Sequence, residues 1–266
     1  MVKILFIGDI VGKAGRATLA HFLPLLQAEH NFDLVIANGE NVTHGRGLNK
    51  KHYLELSKLG VDVFTLGNHF DDREELRNYI EDYNNIARPL NLIANYPGEG
   101  SVVVETKKGI KVRVTNILGQ AFMKEIITSP LLALKLVNAE SEPMIHIVDY
   151  HAEATAEKMT IAWEFDGTIS ALLGTHTHVQ TRDARLLLKG TAYISDVGMT
   201  GSYNGVIGAE RNSVIQKVWF DNKVRFNYED EDPHYQFSAV ILEINEETFK
   251  TEKITPIYEL WRKDEQ

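Results

Sequence analysis

Four runs rich in Val, Ile and Leu, at residues 2–7, 33–37, 61–66 and 144–151, constrain the fold more than any other feature of this 266-residue chain. Each has strand length, and each stops at polar residues: Gly8-Asp9, Asn38-Gly39-Glu40-Asn41, Gly67-Asn68-His69 and Asp149-Tyr150-His151. Helical patterns separate most of them. At 16–29, for example, Leu19, Phe22, Leu23 and Leu26 share one helical face. Strands that alternate with amphipathic helices are the pattern of βαβ units around a largely buried sheet. The expected class is α/β.

Further helical patterns fall at 50–59, 71–83 and 152–165, with a less regular one at 123–138. Asp71 or Asp72 could cap the second of these. Short strands are expected at 91–95, 169–173 and 191–195. Segments 101–105 and 110–118 flank Lys107-Lys108-Gly109 and read as a hairpin with a solvated turn, and 237–244 with 253–258 reads as a closing hairpin. Alternation along 144–151 would bury one of His146 and His151 and leave the other at the strand end. Residues 205–212 read as a loop, and the four acids at 229–232 as a solvated loop. With no internal repeat and no low-complexity linker, one domain covering 1–266 is the simpler organisation.

Composition excludes several kinds of chemistry. The chain has no cysteine, which removes disulfides, thiolate zinc sites and cysteine nucleophiles together. A formal charge of −9 argues against a broad surface for duplex nucleic acid, although a small phosphorylated substrate stays compatible with it. No apolar run approaches the ~18 residues of a membrane span, and 2–7 is cut short by Gly8-Asp9, so a cytoplasmic protein is expected. The glycines after the first strand do not make a phosphate loop. Gly12-Lys13 is followed by Ala14, and Ile7 stands where that motif begins with Gly.

The polar residues at the strand ends form a set: Asp9, Glu40 with Asn41, Asn68 with His69, His151, and His176 with His178 in Gly174-Thr175-His176-Thr177-His178. In open α/β sheets ligands bind beyond the carboxyl ends of the strands. A shared sheet would therefore gather these groups into one pocket. Imidazole, carboxylate and amide donors without thiolate suit Mn²⁺, Fe or Zn²⁺. Two such ions ~3.5–4 Å apart can share a carboxylate and a hydroxide and clamp both oxygens of an in-line displacement at phosphorus.

These stretches resemble the dispersed motifs of the calcineurin-like metallophosphoesterases. The match extends to the YmdB-like bacterial phosphodiesterases, through Gly8-Asp9-Ile10-Val11-Gly12-Lys13, Asn38-Gly39-Glu40-Asn41, Val148-Asp149-Tyr150-His151-Ala152-Glu153-Ala154-Thr155, Thr175-His176-Thr177-His178-Val179-Gln180-Thr181 and Asp196-Val197-Gly198-Met199-Thr200-Gly201. It covers essentially the whole chain. The resemblance implies an α-β-β-α fold, a sandwich of two mixed β-sheets flanked by helices. It also implies two metal ions, iron or manganese, with zinc as a further option. Asp9, Asn41 and His178 would hold one ion, Asn68, His151 and His176 the other, and Glu40 would bridge them. His69 would be the general acid that protonates the leaving oxygen. Val11 replaces the histidine of the wider superfamily's Asp-x-His opening, Glu40-Asn41 replaces its second Asp, and Phe70 stands beside His69 where a smaller polar residue is expected.

The expected function is hydrolysis of small phosphodiesters, with 2′,3′- and 3′,5′-cyclic nucleotides as the substrate class the relatives imply. Two alternatives stand beside it: a phosphomonoesterase or protein phosphatase on the same metals, and a metal-dependent scaffold without catalysis. Retention of His69 disfavours the scaffold. A homo-oligomer is compatible with the sequence, and no membrane partner is expected.

Overall fold

The computed structural model describes residues 1–93, 95–124, 127–139, 142–220, 224, 227–228 and 232–263. In chain order, β1 (Val2–Ile7), β2 (Asp9–Ile10), α1 (Gly12–His30), β3 (Leu34–Asn38), α2 (Lys50–Leu59), β4 (Val63–Thr65), α3 (Glu75–Tyr79) and β5 (Ile86–Ala87) make up the first third. The middle holds β6 (Ser101–Glu105), β7 (Lys111–Leu118), α4 (Pro130–Ala139), β8 (Ile145–His151), α5 (Thr155–Glu164) and β9 (Ala171–Thr175). Then come β10 (Arg185–Leu186), β11 (Ala192–Ile194), β12 (Met199–Ser202), α6 (Arg211–Phe220), β13 (His234–Ile244) and β14 (Thr251–Arg262).

Two mixed sheets result. In the first, β1, β3, β4 and β5 run parallel, β13 pairs antiparallel with both β1 and β12, and β14 pairs with β13. In the second, β7, β8, β9 and β11 run parallel, with antiparallel β6 and β10 at the edges.

Strand alternation builds the layers. Val2, Ile4 and Phe6 point towards the second sheet, where they meet Val112, Val114, Ile145, Ile147 and Leu173. Leu5 and Ile7 point the other way, onto Leu19 and Leu23 of α1 and Leu56 of α2. On the far face of the second sheet, Val148, Tyr150 and Leu172 pack against Leu134 of α4 and Ile161 of α5. The three apolar clusters are the three interfaces of an α-β-β-α sandwich, because period-2 strands buried on both faces supply two clusters each.

Several local expectations need correction. Residues 91–95 form no strand among the described residues. Leu92 makes only an isolated bridge to Ile127, and Asn91 instead donates to the carbonyls of Leu118 and Thr128. The helix expected at 71–83 shrinks to α3 and a 3₁₀ turn at Ile80–Asp82, and neither Asp71 nor Asp72 caps it. Part of the loop expected at 205–212 becomes the start of α6. The turn lysines are exposed, as expected, and each also makes a contact: Lys107 donates to Phe32 O at 3.0 Å and Lys108 pairs with Asp33 at 3.0 Å. The acidic run at 229–232 lies outside the described residues apart from Asp232. No helix among the described residues is long and apolar enough to cross a membrane.

His146 is buried within β8 and His151 stands at its end, as expected, but His151 is buried as well, at 0% exposure against 3% for His146. The second sheet is covered on both faces, so neither side of β8 meets solvent. His146 Nε2 lies 2.8 Å from Thr115 Oγ1. Burial, then the Arg113 charge, pushes the His146 imidazole down to about 3. Its contribution to stability is therefore fully present above the unfolded-state value of about 6.5 and is lost as pH falls towards 3, because only the unfolded chain takes up the proton. Between pH 6.5 and 5 that amounts to roughly 2 kcal/mol. Urea unfolding at the two pH values should show this loss in the native chain and a flatter profile in His146→Gln; identical profiles would contradict the account.

Candidate metal centre

Every residue expected at the site sits at or just beyond the carboxyl end of a parallel strand. Asp9 follows β1, Glu40 and Asn41 follow β3, Asn68 and His69 follow β4, His151 ends β8, and His176 and His178 follow β9. The two sheets thus bring residues 9 to 178 together at one end of the sandwich.

Glu40 lies at the middle. Its Oε1 is 3.2 Å from His151 Nε2, and its Oε2 accepts the His69 backbone N–H at 3.1 Å. His151 Nε2 also lies 3.0 Å from Asn68 Oδ1 and 3.0 Å from His176 Nδ1. Asp9 Oδ2 accepts the backbone N–H of His176 at 3.2 Å. Two sets of donors could hold a metal ion, Glu40 with His151 and His176, and Asp9 with Glu40 and His178; within each, the donor atoms lie within 4.8 Å of one another. Glu40 belongs to both.

Two buried oxygens of the expected ligands, Asp9 Oδ1 and Asn41 Oδ1, lack a hydrogen-bond partner among the described residues. Buried acceptors are normally satisfied, so two orphans beside shared imidazoles and a carboxylate fit ligation of a cation. Gly67 fits as well. A Cβ there would collide with Glu40 Oε2 and His151 Nε2, so only glycine lets the β4 loop pass so close to the donors.

The donors perturb one another strongly. Burial pushes the Asp9 carboxyl up to about 7, Glu40 and Asp196 adding to it while His178 and His151 oppose it. Burial acts against the charge on His151, but Glu40, Asp9 and Asp149 outweigh it and hold the imidazolium up to about 9. Burial and then His151 push His176 down to about 3. Positive charge is thus favoured at the centre of the cluster, beside Glu40, as a cation would require.

Supporting residues hold the ligands in place, and these were not singled out from the sequence. His151 Nδ1 lies 2.8 Å from Thr175 Oγ1, which donates to Asp149 Oδ1 at 2.7 Å. Asn38 Nδ2 donates to the other Asp149 oxygen at 2.9 Å. With the Thr175 hydrogen committed to Asp149, His151 donates from Nδ1, so Nε2 is the ring nitrogen that faces the site and would become a ligand once a cation displaces its proton. Asp149 and Thr175 stand within the stretches that resemble the family, which was the only available signal. Asp72, expected as a helix cap, instead lies 2.9 Å from His69 Nδ1 and pairs with Arg46 at 3.3 Å. Phe70 is buried, with its ring edge-on to Tyr96 at 5.0 Å.

The loop with His176 and His178 has both histidines at positive φ, 107° and 66°. A buried ion pair secures it. Lys158 Nζ donates to Thr175 O at 2.8 Å and to Asp196 Oδ2 at 3.0 Å, and Asp196 Oδ2 also accepts the Thr177 N–H at 2.9 Å. Removing one partner leaves the other charge buried and alone, so Lys158→Met should cost about 3–5 kcal/mol. Thermal and urea unfolding can check this. The double variant Lys158→Met/Asp196→Asn should recover part of the loss, and an unperturbed single variant would contradict the role.

Solved structures share this architecture. A Thermus thermophilus protein superimposes with a TM-score of 0.90 at 36% identity, covering 97% of this chain and 99% of that one. A Mycoplasma pneumoniae protein described as a novel phosphatase gives 0.91 at 37% identity, covering 97% and 93%. Fold and donor cluster together define a phosphoric ester hydrolase of the metallophosphoesterase type. The family model for YmdB-like proteins matches residues 5–257, and a Bacillus subtilis relative named 2′,3′-cyclic-nucleotide 2′-phosphodiesterase is 41% identical over 258 residues, 96% of either chain. The chain belongs to the YmdB-like family.

Proposed function

We propose that the chain acts, as one domain, on small phosphodiesters at a dinuclear metal centre, with 2′,3′- and 3′,5′-cyclic nucleotides as substrates. The observation that carries the reading is the Glu40 carboxylate common to both donor sets. The name of the B. subtilis relative supports the cyclic diester class. Asp9, Asn41 and His178 would hold one ion, Asn68, His151 and His176 the other, and Glu40 both. A donor set of nitrogen and oxygen suits iron or manganese, with zinc as the next choice. When bound, such ions polarise the phosphoryl oxygens and supply a nucleophile at neutral pH.

The chain's own residues supply the rest. Asp72 beside Nδ1 orients the His69 ring and leaves Nε2 to protonate the departing ribose oxygen, which is a poor leaving group as an alkoxide. Thr175 and Asp149 set the tautomer of His151, and Lys158 with Asp196 fixes the loop that carries His176 and His178. Cleavage of the 2′ ester bond in a 2′,3′-cyclic nucleotide would give the nucleoside 3′-phosphate. A second reading, hydrolysis of phosphomonoesters, draws on the M. pneumoniae structure described as a phosphatase.

Metal analysis of the purified protein, coupled to an activity panel, tests the proposal. Two ions per chain are expected, with faster turnover of 2′,3′- and 3′,5′-cyclic nucleotides than of nucleoside monophosphates. A single ion per chain, or monoesters as the preferred substrates, would overturn the respective half of the reading.

A further inference from the structure

We propose that the hollow beside His178 receives the nucleobase of the substrate, with Tyr203 and Tyr258 as its stacking surfaces. The inference rests on the cyclic-nucleotide reading and adds how the non-reacting part of the substrate is held. A cavity of about 500 Å³ is lined by His178 together with Val179, Arg182, Tyr203, Ile207 and Tyr258. It is larger than a phosphate needs and lies within the ~300–1,000 Å³ usual for small organic ligands. Because His178 is shared, a phosphoryl group placed among the donors of Asp9, Glu40 and His178 has its sugar and base within reach of this space.

The character of the lining selects the ligand. Val179, Ile207, Tyr203 and Tyr258 are 60%, 54%, 46% and 47% exposed, so apolar and aromatic surface faces solvent beside a centre otherwise made of charges. Grouped exposed apolar residues mark a binding surface more often than chance. A nucleobase has flat faces that stack on tyrosine rings and an edge of acceptors and donors. Arg182 lines the same hollow and has no ion pair or hydrogen bond among the described residues, so its guanidinium can donate to that edge. Burial and then the neighbouring Tyr203 push the Tyr258 phenol up, which agrees with the two rings standing near each other.

Backbone conformation gives a second, independent sign. Ile207 has a φ of 46°, a left-handed conformation that is rare for a β-branched residue. Its carbonyl accepts from His178 Nδ1 at 2.9 Å. The strained residue therefore ties one wall of the hollow to a candidate metal ligand, and strain of this kind collects at functional sites.

The test compares kcat/KM for adenosine 2′,3′-cyclic phosphate with that for base-free ribose 2′,3′-cyclic phosphate. The native protein, Tyr203→Ala, Tyr258→Ala and the corresponding Phe variants are assayed as purified. Calorimetric binding of adenosine 3′-phosphate provides a readout that needs no turnover. The native protein should favour the nucleotide about 10- to 100-fold, each Ala variant should lower that ratio about tenfold through KM, and the Phe variants should keep it. Binding of adenosine 3′-phosphate should weaken by a similar factor in the Ala variants. Equal kcat/KM for the two substrates in the native protein, or a ratio that survives both Ala substitutions, would overturn the base site while leaving the phosphodiesterase reading intact. If neither diester is hydrolysed, that reading fails, and calorimetry still decides the base site: weaker binding in the Ala variants supports it, and unchanged binding overturns it.

Discussion

His69→Ala is expected to keep its full metal content and lose roughly 10²–10⁴ in turnover, the usual contribution of a positioned acid. The ring is not part of either donor set; it is joined to the site through its backbone N–H on Glu40 and through Asp72. Removing the side chain should therefore leave the ligands where they are. The loss should depend on the leaving group. An alkoxide such as a ribose oxygen needs the proton, whereas 4-nitrophenolate leaves without it, so a chromogenic diester should be much less affected than a cyclic nucleotide. Asp72→Asn should give a smaller loss of the same kind, because it loosens the ring without removing it. Equal losses on both kinds of leaving group, or full activity of His69→Ala, would rule out the acid role.

Glu40→Gln is expected to empty both metal positions together. An amide has the shape of the carboxylate but lacks its negative charge, and it offers only one oxygen to two cations. Disturbing residues that merely support a ligand already costs about 10- to 100-fold in metal affinity, so loss of a shared ligand should exceed that. The substitution also removes the carboxylate that contributes most to holding the His151 imidazolium up. Metal content after dialysis is the measurement. Two retained ions per chain would contradict the bridging role, and loss of one with retention of the other would assign Glu40 to a single ion.

Much of the site could be read before the fold because of where its residues stand. Asp9, Glu40, Asn68, His151 and His176 each follow or end a run of Val, Ile and Leu, and the ends of parallel strands buried on both faces must lie side by side. Burial of both faces of β1, with Leu5 to one side and Phe6 to the other, is likewise visible as the unbroken apolar stretch from Ile4 to Ile7. Other features had no such local mark. Asp72 has the composition and position of a helix cap, and only the return of His69 and Arg46 to the same place makes it an orienting carboxylate. The short strands β2 and β12 pair with each other from residues 9 and 199, and nothing in either stretch announces the partner.

The α/β class and the chemical kind of the candidate centre were legible in the chain: apolar runs alternating with amphipathic helices mark buried strands, and without cysteine a metal would be held through nitrogen and oxygen, while the two-sheet layering followed from the family resemblance. The bracing of the histidine loop by Lys158 and Asp196 became visible only in the folded chain. The same is true of Tyr203 and Tyr258, which line one hollow with His178. The physical reason is distance along the chain. Periodicity reports the environment of neighbouring residues, whereas Asp9 and His176, or Tyr203 and Tyr258, become neighbours only after two sheets have packed and a loop has been held at positive φ.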